Sequence, residues 1–244
     1  MKEASLERVR LLYSMKRYQE AFQELNEYIA SHPENADSFC LLALVQWQRK
    51  QTQPAKEACK IALSLAPTWS YPHYINALIH LWSKKYVTAE QSIAEAIRLD
   101  AQEASYYALA SQIFVKRHDR DSALLMIYQG LECDPLDKDC LLRLGLLLEQ
   151  LGRIVEAEAA YQKLLTTYPE HALGQGYLGQ LLVRQKRYDE AKPLLENALH
   201  DNPEWEEIQS DWQESLVAEN RLYFWLNAVQ KGAFGKKGWI TYVA

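Results

Sequence analysis

Residues 18–33 read YQEAFQELNEYIASHP, and residues 188–203 read YDEAKPLLENALHDNP. Both stretches begin with Tyr-x-Glu-Ala, carry an aliphatic residue at the same late position and end at a proline. They are offset by 170 residues, which is five times 34. A frame that is kept over this distance indicates an internal repeat of 34 residues.

Four sets of positions carry this frame along the chain. One position is alanine in all six copies: Ala21, Ala55, Ala89, Ala123, Ala157 and Ala191. Twelve residues earlier the residue is nearly always small: Val9, Ala43, Ala77, Ser111, Gly145 and Gly179. Eight residues after the alanine it is aliphatic: Ile29, Leu63, Ile97, Leu131, Leu165 and Leu199. The last position is proline in five copies and alanine in the third: Pro33, Pro67, Ala101, Pro135, Pro169 and Pro203.

Each repeat is predicted to form two antiparallel helices joined by a short turn. The small residue and the alanine would face each other at the closest approach, because a larger side chain there costs about 1–3 kcal/mol. The aliphatic residue would pack on the next repeat. The proline would end the second helix, because the residue before a proline is disfavoured in the α region. One repeat cannot bury its apolar face alone, so the repeats must stack.

These positions resemble the tetratricopeptide repeat, in its bacterial form, from Lys2 to Pro203. The best matches are LRLGLLLEQLGRIVEAEAAYQKLLTTYP (142–169) and YLGQLLVRQKRYDEAKPLLENALHDNP (177–203). The resemblance implies an all-α, right-handed α-solenoid superhelix of about six helix-turn-helix units with a C-terminal capping helix. Repeat one departs from the pattern by lacking tryptophan and glycine in its first helix. Repeat three carries polar Asn76 and His80 where the pattern prefers apolar residues.

The repeat frame predicts the organisation of the chain. Residues 1–203 are expected to hold the six repeats, at about 2–35, 36–69, 70–103, 104–137, 138–171 and 172–205. Residues 204–231 are expected to form a capping helix or helices, since Trp205, Ile208, Trp212 and Leu216 mark one helical face. Residues 232–244 would then be a tail.

Composition excludes several classes of function. The net charge is −5 and the body shows no basic stripe, which argues against nucleic-acid binding. The four cysteines have no CxxC spacing, so they predict reduced thiols rather than a zinc or redox site. The N-terminus lacks the apolar core of a signal peptide, and no run reaches the length of a membrane span. We therefore expect a cytoplasmic protein.

The C-terminal segment supports a second hypothesis. Leu222 to Val229 is dense in aromatic and aliphatic residues, and Lys236 and Lys237 precede Trp239. Aromatic residues beside lysines are typical of a membrane interface. The chain would then be the soluble part of a membrane-tethered assembly factor on the cytoplasmic face of a membrane. The alternatives are a second capping helix with a frayed tail, or a tail that docks in the protein's own groove.

No catalytic or metal-binding constellation is evident. His118, Asp119 and Asp121 fall in a predicted turn, where a solvated charged loop is the simpler interpretation. His73 and His80 could share a helix face, but without nearer carboxylate or cysteine partners they indicate core or groove histidines. We expect no enzyme activity, no metal and no cofactor. A regulatory module of a larger enzyme stays open as an alternative.

The resemblance implies that the first helices line a concave surface that binds a protein or peptide partner. The apolar early repeats suit an amphipathic helix or an apolar peptide, since tryptophan and tyrosine are enriched among binding hot spots. The predicted partner-binding residues are Tyr13, Trp47, Tyr71, Tyr74, Leu78, Trp82, Gln112 and Lys116. Later inward positions are more polar: Leu142, Leu146, Glu149, Gly176, Gln180 and Arg184. The alternative is that the aromatic residues are core between first helices. The lysine–asparagine set of co-chaperone members is not evident.

Overall fold

The computed structural model describes the backbone of residues 5–230 and the side chains of residues 5–218. Within residues 5–230 the chain forms thirteen α-helices and no β-strand. It divides into two compact units, residues 1–143 and 144–244. The ninth helix, α9 (Lys138–Gln150), crosses the boundary between them.

The first unit holds four helical pairs and the start of α9. In each pair a first helix is followed by a three-residue turn and a 14-residue second helix. The helices are α1 (Leu6–Ser14), α2 (Tyr18–Ser31), α3 (Ala36–Gln48), α4 (Thr52–Leu65), α5 (Ser70–Trp82), α6 (Tyr86–Leu99), α7 (Ala104–Lys116) and α8 (Arg120–Cys133).

The second unit continues the same pattern. After the end of α9 it contains α10 (Ile154–Thr167), α11 (Ala172–Arg184), α12 (Tyr188–Asp201) and the 25-residue α13 (Glu206–Gln230). Within residues 5–230 no helix combines the length and the hydropathy that crossing a bilayer requires. The predicted tail, 232–244, lies outside the described residues, as do the side chains of the apolar segment 222–229.

The second helices end where the frame places them. α2, α4, α8, α10 and α12 each stop two residues before their proline. α6 stops at Leu99, two residues before Ala101, and so has the same length without a proline. The residue between, Asp100, is already extended at φ −147° and ψ 95°. Proline is therefore not needed to end this helix, which the sequence argument had not anticipated.

The turns within the pairs repeat one backbone conformation that pattern reasoning missed. A left-handed residue follows each first helix at the 34-residue spacing: Lys16 (φ 60°), Lys50 (62°), Lys84 (58°), His118 (64°), Gly152 (74°) and Lys186 (62°). Its N–H and that of the next residue both bond back into the helix. In the third repeat Lys84 N donates to Leu81 O at 2.9 Å and Lys85 N donates to His80 O at 2.9 Å. This is the Schellman arrangement, which satisfies the last carbonyl groups of a helix.

The closest packing within a pair differs in detail from the prediction. A Cβ on Gly145 would lie 2.3 Å from the Tyr161 ring, and a Cβ on Gly179 would lie 2.6 Å from Leu195. Tyr161 and Leu195 follow the repeated alanine by four residues. The Ala191 carbonyl oxygen is farther, at 3.6 Å from the Gly179 position. The small residue therefore makes room first for the side chain one turn beyond the alanine.

The aliphatic residues of three second helices contact the next repeat, as the frame predicts. Ile29 contacts the buried cluster of repeat two that contains Phe39 and Cys40, and Ile97 contacts the cluster that contains Tyr106. In the second unit, a Cβ on Gly174 would lie 3.2 Å from Leu165. These contacts join consecutive repeats and bury the apolar faces that one repeat leaves open.

Candidate functional site

Aromatic side chains of three first helices form a set of stacked rings in the first unit. We call it the aromatic face and define it as Trp47, Tyr71, Tyr74, Trp82 and Tyr106. The Trp47 and Trp82 rings stack with centroids 5.3 Å apart at 26°. Tyr74 stacks on Tyr71 at 6.0 Å and on Tyr106 at 5.2 Å. Because the rings hold one another, their orientations are fixed before any partner arrives.

The tyrosine hydroxyls of this face are neutral at physiological pH. Burial raises the pKa of Tyr71 to about 12, although the neighbouring Arg10 opposes the shift. Burial raises the pKa of Tyr74 as well, with the Asp139 carboxylate as the next cause. Arg10 itself is paired with Asp37. The aromatic face therefore offers neutral rings and hydroxyls, with its nearby arginine already engaged by a carboxylate.

The structure places the other predicted partner-binding residues around this face with different roles. Leu78 packs on the core clusters of repeats two and three. Tyr13 lies apart from the stacked rings: its hydroxyl accepts from Gln48 Nε2 at 3.3 Å, and its ring meets Tyr18 edge-on at 5.5 Å. On α7, Gln112 is half-buried and Lys116 is exposed. Neither α7 side chain joins the ring stack.

Both interpretations of the aromatic residues have support in the packing. Trp47, Tyr71, Tyr74 and Trp82 all contact the buried cluster of repeat two. All four are nevertheless half-buried rather than buried, so part of each residue remains accessible to solvent. A ring that is anchored on one side and open on the other is suited to contact a partner without losing further side-chain entropy.

Two residues at this surface were missed by the sequence argument. Tyr106 is buried and donates from its hydroxyl to Ser70 Oγ at 3.0 Å. Arg143 occupies the frame position that is aliphatic in repeats two to four: Leu41, Ile75 and Leu109. Burial lowers the pKa of the Arg143 guanidinium, and Asp139 opposes the shift. The sequence does contain a signal for Arg143, because a charged residue stands at a position that is aliphatic in the three preceding repeats. Aligning this position across the repeats would have revealed it.

The second unit contains a pocket of about 530 Å³ of different chemistry. We call it the acidic pocket; its lining residues are Leu146, Glu149, Gln150, Tyr177, Gln180, Arg184, Glu207, Ser210 and Asp211. Arg184 pairs with Glu149, whose other oxygen accepts from the Tyr161 hydroxyl at 3.3 Å. Gln180 Nε2 donates to Asp211 at 2.8 Å. Four of these residues were predicted to point inward; the α13 carboxylates were not.

The histidines of the sequence analysis are not assembled into a site. His118 is the left-handed turn residue of repeat four. His73 Nε2 lies 3.0 Å from the carbonyl of Pro67, and burial lowers the pKa of His80. Among residues 5–218 no three histidine, cysteine or acidic side chains converge as metal ligands would.

Comparisons with known proteins agree with this architecture. Two family models, both described as tetratricopeptide repeat, match residues 108–172 and 150–210. Anaphase-promoting complex subunit 3 of Schizosaccharomyces pombe is 19% identical over 171 residues, which is 70% of this chain and 26% of that protein. The chain therefore spans about a quarter of the curated relative that it matches.

Two solved structures have a similar fold. A chain in the APC/C heterotetramer Cut9–Hcn1 superposes with a TM-score of 0.70 at 14% identity, over 84% of this chain and 41% of that chain. Yeast Tom70 superposes with a TM-score of 0.72 at 18% identity, over 86% of this chain and 45% of that chain. At these identities the likeness concerns the fold.

The frame, the paired helices and the comparisons together define an all-α helical-repeat protein. Residues 108–210 match the tetratricopeptide repeat family, and the helical pairs before them have the same two-helix form.

Proposed function

We propose that the chain is a non-catalytic interaction scaffold whose aromatic face holds a peptide or helix of a partner protein. The supporting observation is the pair of ring stacks, Trp47 on Trp82 and Tyr71 on Tyr74, half-buried along α3 and α5. Each rotamer-rich side chain that binding must immobilise costs about 0.5–1.5 kcal/mol. The stacked rings have been ordered by folding, so more of the contact energy remains for affinity.

The chemistry of the face indicates what kind of partner it holds. The rings are apolar and the hydroxyls are neutral, while the nearby Arg10 is engaged with Asp37. An apolar side chain presented by an amphipathic helix or an extended segment would therefore bind here. Gln112 and Lys116 lie beyond the rings on α7 and would contact the polar side of such a segment.

The proposal is supported by what the similar proteins are described as doing. The names of the relatives place them in multi-protein assemblies: a subunit of the anaphase-promoting complex and a chain of the APC/C Cut9–Hcn1 heterotetramer. This chain covers only part of each, so their partners are not carried over.

The experiment is affinity capture with mass spectrometry, comparing the wild type with the Trp47→Ala/Tyr74→Ala variant. The matched control is Val87→Ala/Leu125→Ala, which removes exposed apolar side chains from the second helices α6 and α8. We expect partners that are retained by the wild type and the control but lost by the aromatic variant. Circular dichroism must show the same helix content in all three.

If the aromatic variant retains every partner, the proposal is wrong. If it loses its helical signal, the rings are core and the weaker variant Trp47→Leu decides. That change keeps an apolar side chain in the cluster but removes the stacked surface.

A further inference from the structure

The acidic pocket of the second unit carries more negative charge than it neutralises. Glu149, Glu207 and Asp211 supply three carboxylates, and Arg184 supplies one guanidinium. Arg184 is engaged by Glu149. Asp211 accepts a hydrogen bond from the neutral amide of Gln180, which leaves its charge in place. Within residues 5–218 no cation is paired with Glu207.

The two α13 carboxylates also oppose each other. Glu207 and Asp211 are four residues apart on one helix, so their Cβ atoms lie about 5–6 Å apart on the same face. Like charges at this spacing destabilise a helix. A cation between them would remove that repulsion and gain two ion pairs.

The floor of the pocket suits a planar cation with an aliphatic stem. The Tyr177 ring lines the pocket and is fixed from two sides, by Tyr161 at 6.4 Å and by Trp205 edge-on at 5.7 Å. A guanidinium or ammonium group over an aromatic ring is attracted by the negative face of the ring. Leu146 adds an apolar wall for the methylene groups of the same side chain.

From these features we propose that the acidic pocket binds a basic side chain, with arginine preferred, of an extended peptide segment in a partner protein. Glu207 and Asp211 pair with its charge, Tyr177 lies under its plane and Leu146 contacts its stem. Charge complementarity selects this occupant over an acidic or a purely apolar peptide. The pocket lies wholly in the second unit, so the inference does not depend on the aromatic face.

The test uses the full chain and two blocked peptides. One is acetyl-Gly-Arg-Gly-Arg-Gly-amide, and the other replaces both arginines with norleucine. The variant is Glu207→Gln/Asp211→Asn, which keeps side-chain size and keeps an oxygen for Gln180. The matched control is Glu132→Gln/Glu170→Gln, which makes the same change in net charge at exposed positions outside the pocket.

We expect the arginine peptide to bind the wild type and the control equally, and the pocket variant about fivefold to tenfold more weakly. A tenfold loss corresponds to about 1.4 kcal/mol, which lies within what two exposed ion pairs contribute. The norleucine peptide should bind none of the proteins measurably in a nuclear magnetic resonance titration at low salt. The Trp47→Ala/Tyr74→Ala variant should bind the arginine peptide as the wild type does, which separates this result from the test of the aromatic face.

Four outcomes would overturn the inference. They are no binding of the arginine peptide to the wild type, binding to the pocket variant within twofold of the wild type, equal binding of the norleucine peptide, and equal weakening by the control. The last outcome would mean that the peptide responds to net charge and not to this pocket.

Discussion

Replacing Gly145 with alanine tests the packing rule that builds each helical pair. The Cβ that alanine adds would lie 2.3 Å from Tyr161 Cε1 and 2.6 Å from Cδ1 and Cζ. Carbon atoms in contact normally sit about 3.5–4.0 Å apart. The tyrosine ring must therefore move by about 1 Å. Tyr161 is fully buried in a close-packed interior, which leaves little space for the ring to enter.

The expected cost combines two opposing effects. Overpacking of a core costs about 1–3 kcal/mol, and a contact this short belongs at the upper end. Alanine is also a better helix former than glycine by about 1 kcal/mol, which offsets part of it. We expect Gly145→Ala to destabilise the protein by about 2 kcal/mol. For a chain of 244 residues this lowers Tm by about 4 °C.

A second substitution should rescue the first. Repeat three carries Ala77 and Ile93 at the positions that hold Gly145 and Tyr161 in repeat five. Tyr161→Ile alone removes buried volume and should cost about 2 kcal/mol. In Gly145→Ala/Tyr161→Ile the new methyl group occupies the space that the ring vacates. The double variant should therefore lose less stability than the sum of the singles, by at least about 2 kcal/mol.

The assay is urea and thermal unfolding of the four proteins of this cycle, followed by circular dichroism. Ser111→Ala is the matched control, because it places alanine at the same frame position in repeat four and should leave Tm within about 1 °C. Additive losses in the double variant would refute the reasoning, since they would show that residue 145 and residue 161 do not compete for one space.

Three further predictions concern the backbone and the thiols. Ala101→Pro should raise Tm by about 1–2 °C in thermal unfolding. Asp100 is already extended, as a residue before proline must be, and proline lowers the conformational entropy of the unfolded chain, which stabilises the fold by about 0.4–1 kcal/mol. A fall in Tm would show that the third repeat cannot accept the proline ring. Gly152→Ala should lower the free energy of unfolding in urea by about 1 kcal/mol, because a side chain strains the left-handed backbone even though its Cβ would meet nothing within 4 Å. Lys84→Gly should raise the free energy of unfolding for the same reason. Equal effects of the two changes would contradict the left-handed turn as the cause. In thiol titration at pH 8 the half-buried Cys133 should react first. Burial raises the pKa of Cys59 to about 12 and also raises the pKa of Cys40 and Cys140. The reactive thiolate of these three residues therefore forms only as pH rises further or as the protein unfolds. Fast labelling of all four thiols, Cys40, Cys59, Cys133 and Cys140, in the native protein would be inconsistent with this burial.

The fold was predictable from the sequence because its information is periodic. The six alanines are all fully buried, as a shared packing position requires. The frame also assigned the aliphatic contacts of Ile29 and Ile97 to the next repeat. Each of these follows from spacing and side-chain size, which a sequence states directly.

Features that depend on conformation or on a single exception were less accessible. Lysine is common on protein surfaces, so the residue type of Lys16 or Lys50 does not predict a left-handed backbone. The close approach of Tyr161 to Gly145 depends on how α9 and α10 are positioned along each other, which the sequence of neither helix shows. Glu207 and Asp211 read as part of an acidic helix face until α11 and α13 are placed beside the same cavity.

The termination of α6 at Leu99 without a proline has a consequence for how such an array changes over generations. Five repeats carry a proline that the third repeat shows to be dispensable, so the proline is not the sole signal that ends each second helix. A mutation that removes one proline would then cost only about 0.4–1 kcal/mol of stability and would leave the 34-residue phase of the following repeats intact. The junction after a second helix can therefore change in sequence while the 34-residue spacing of the repeats is kept.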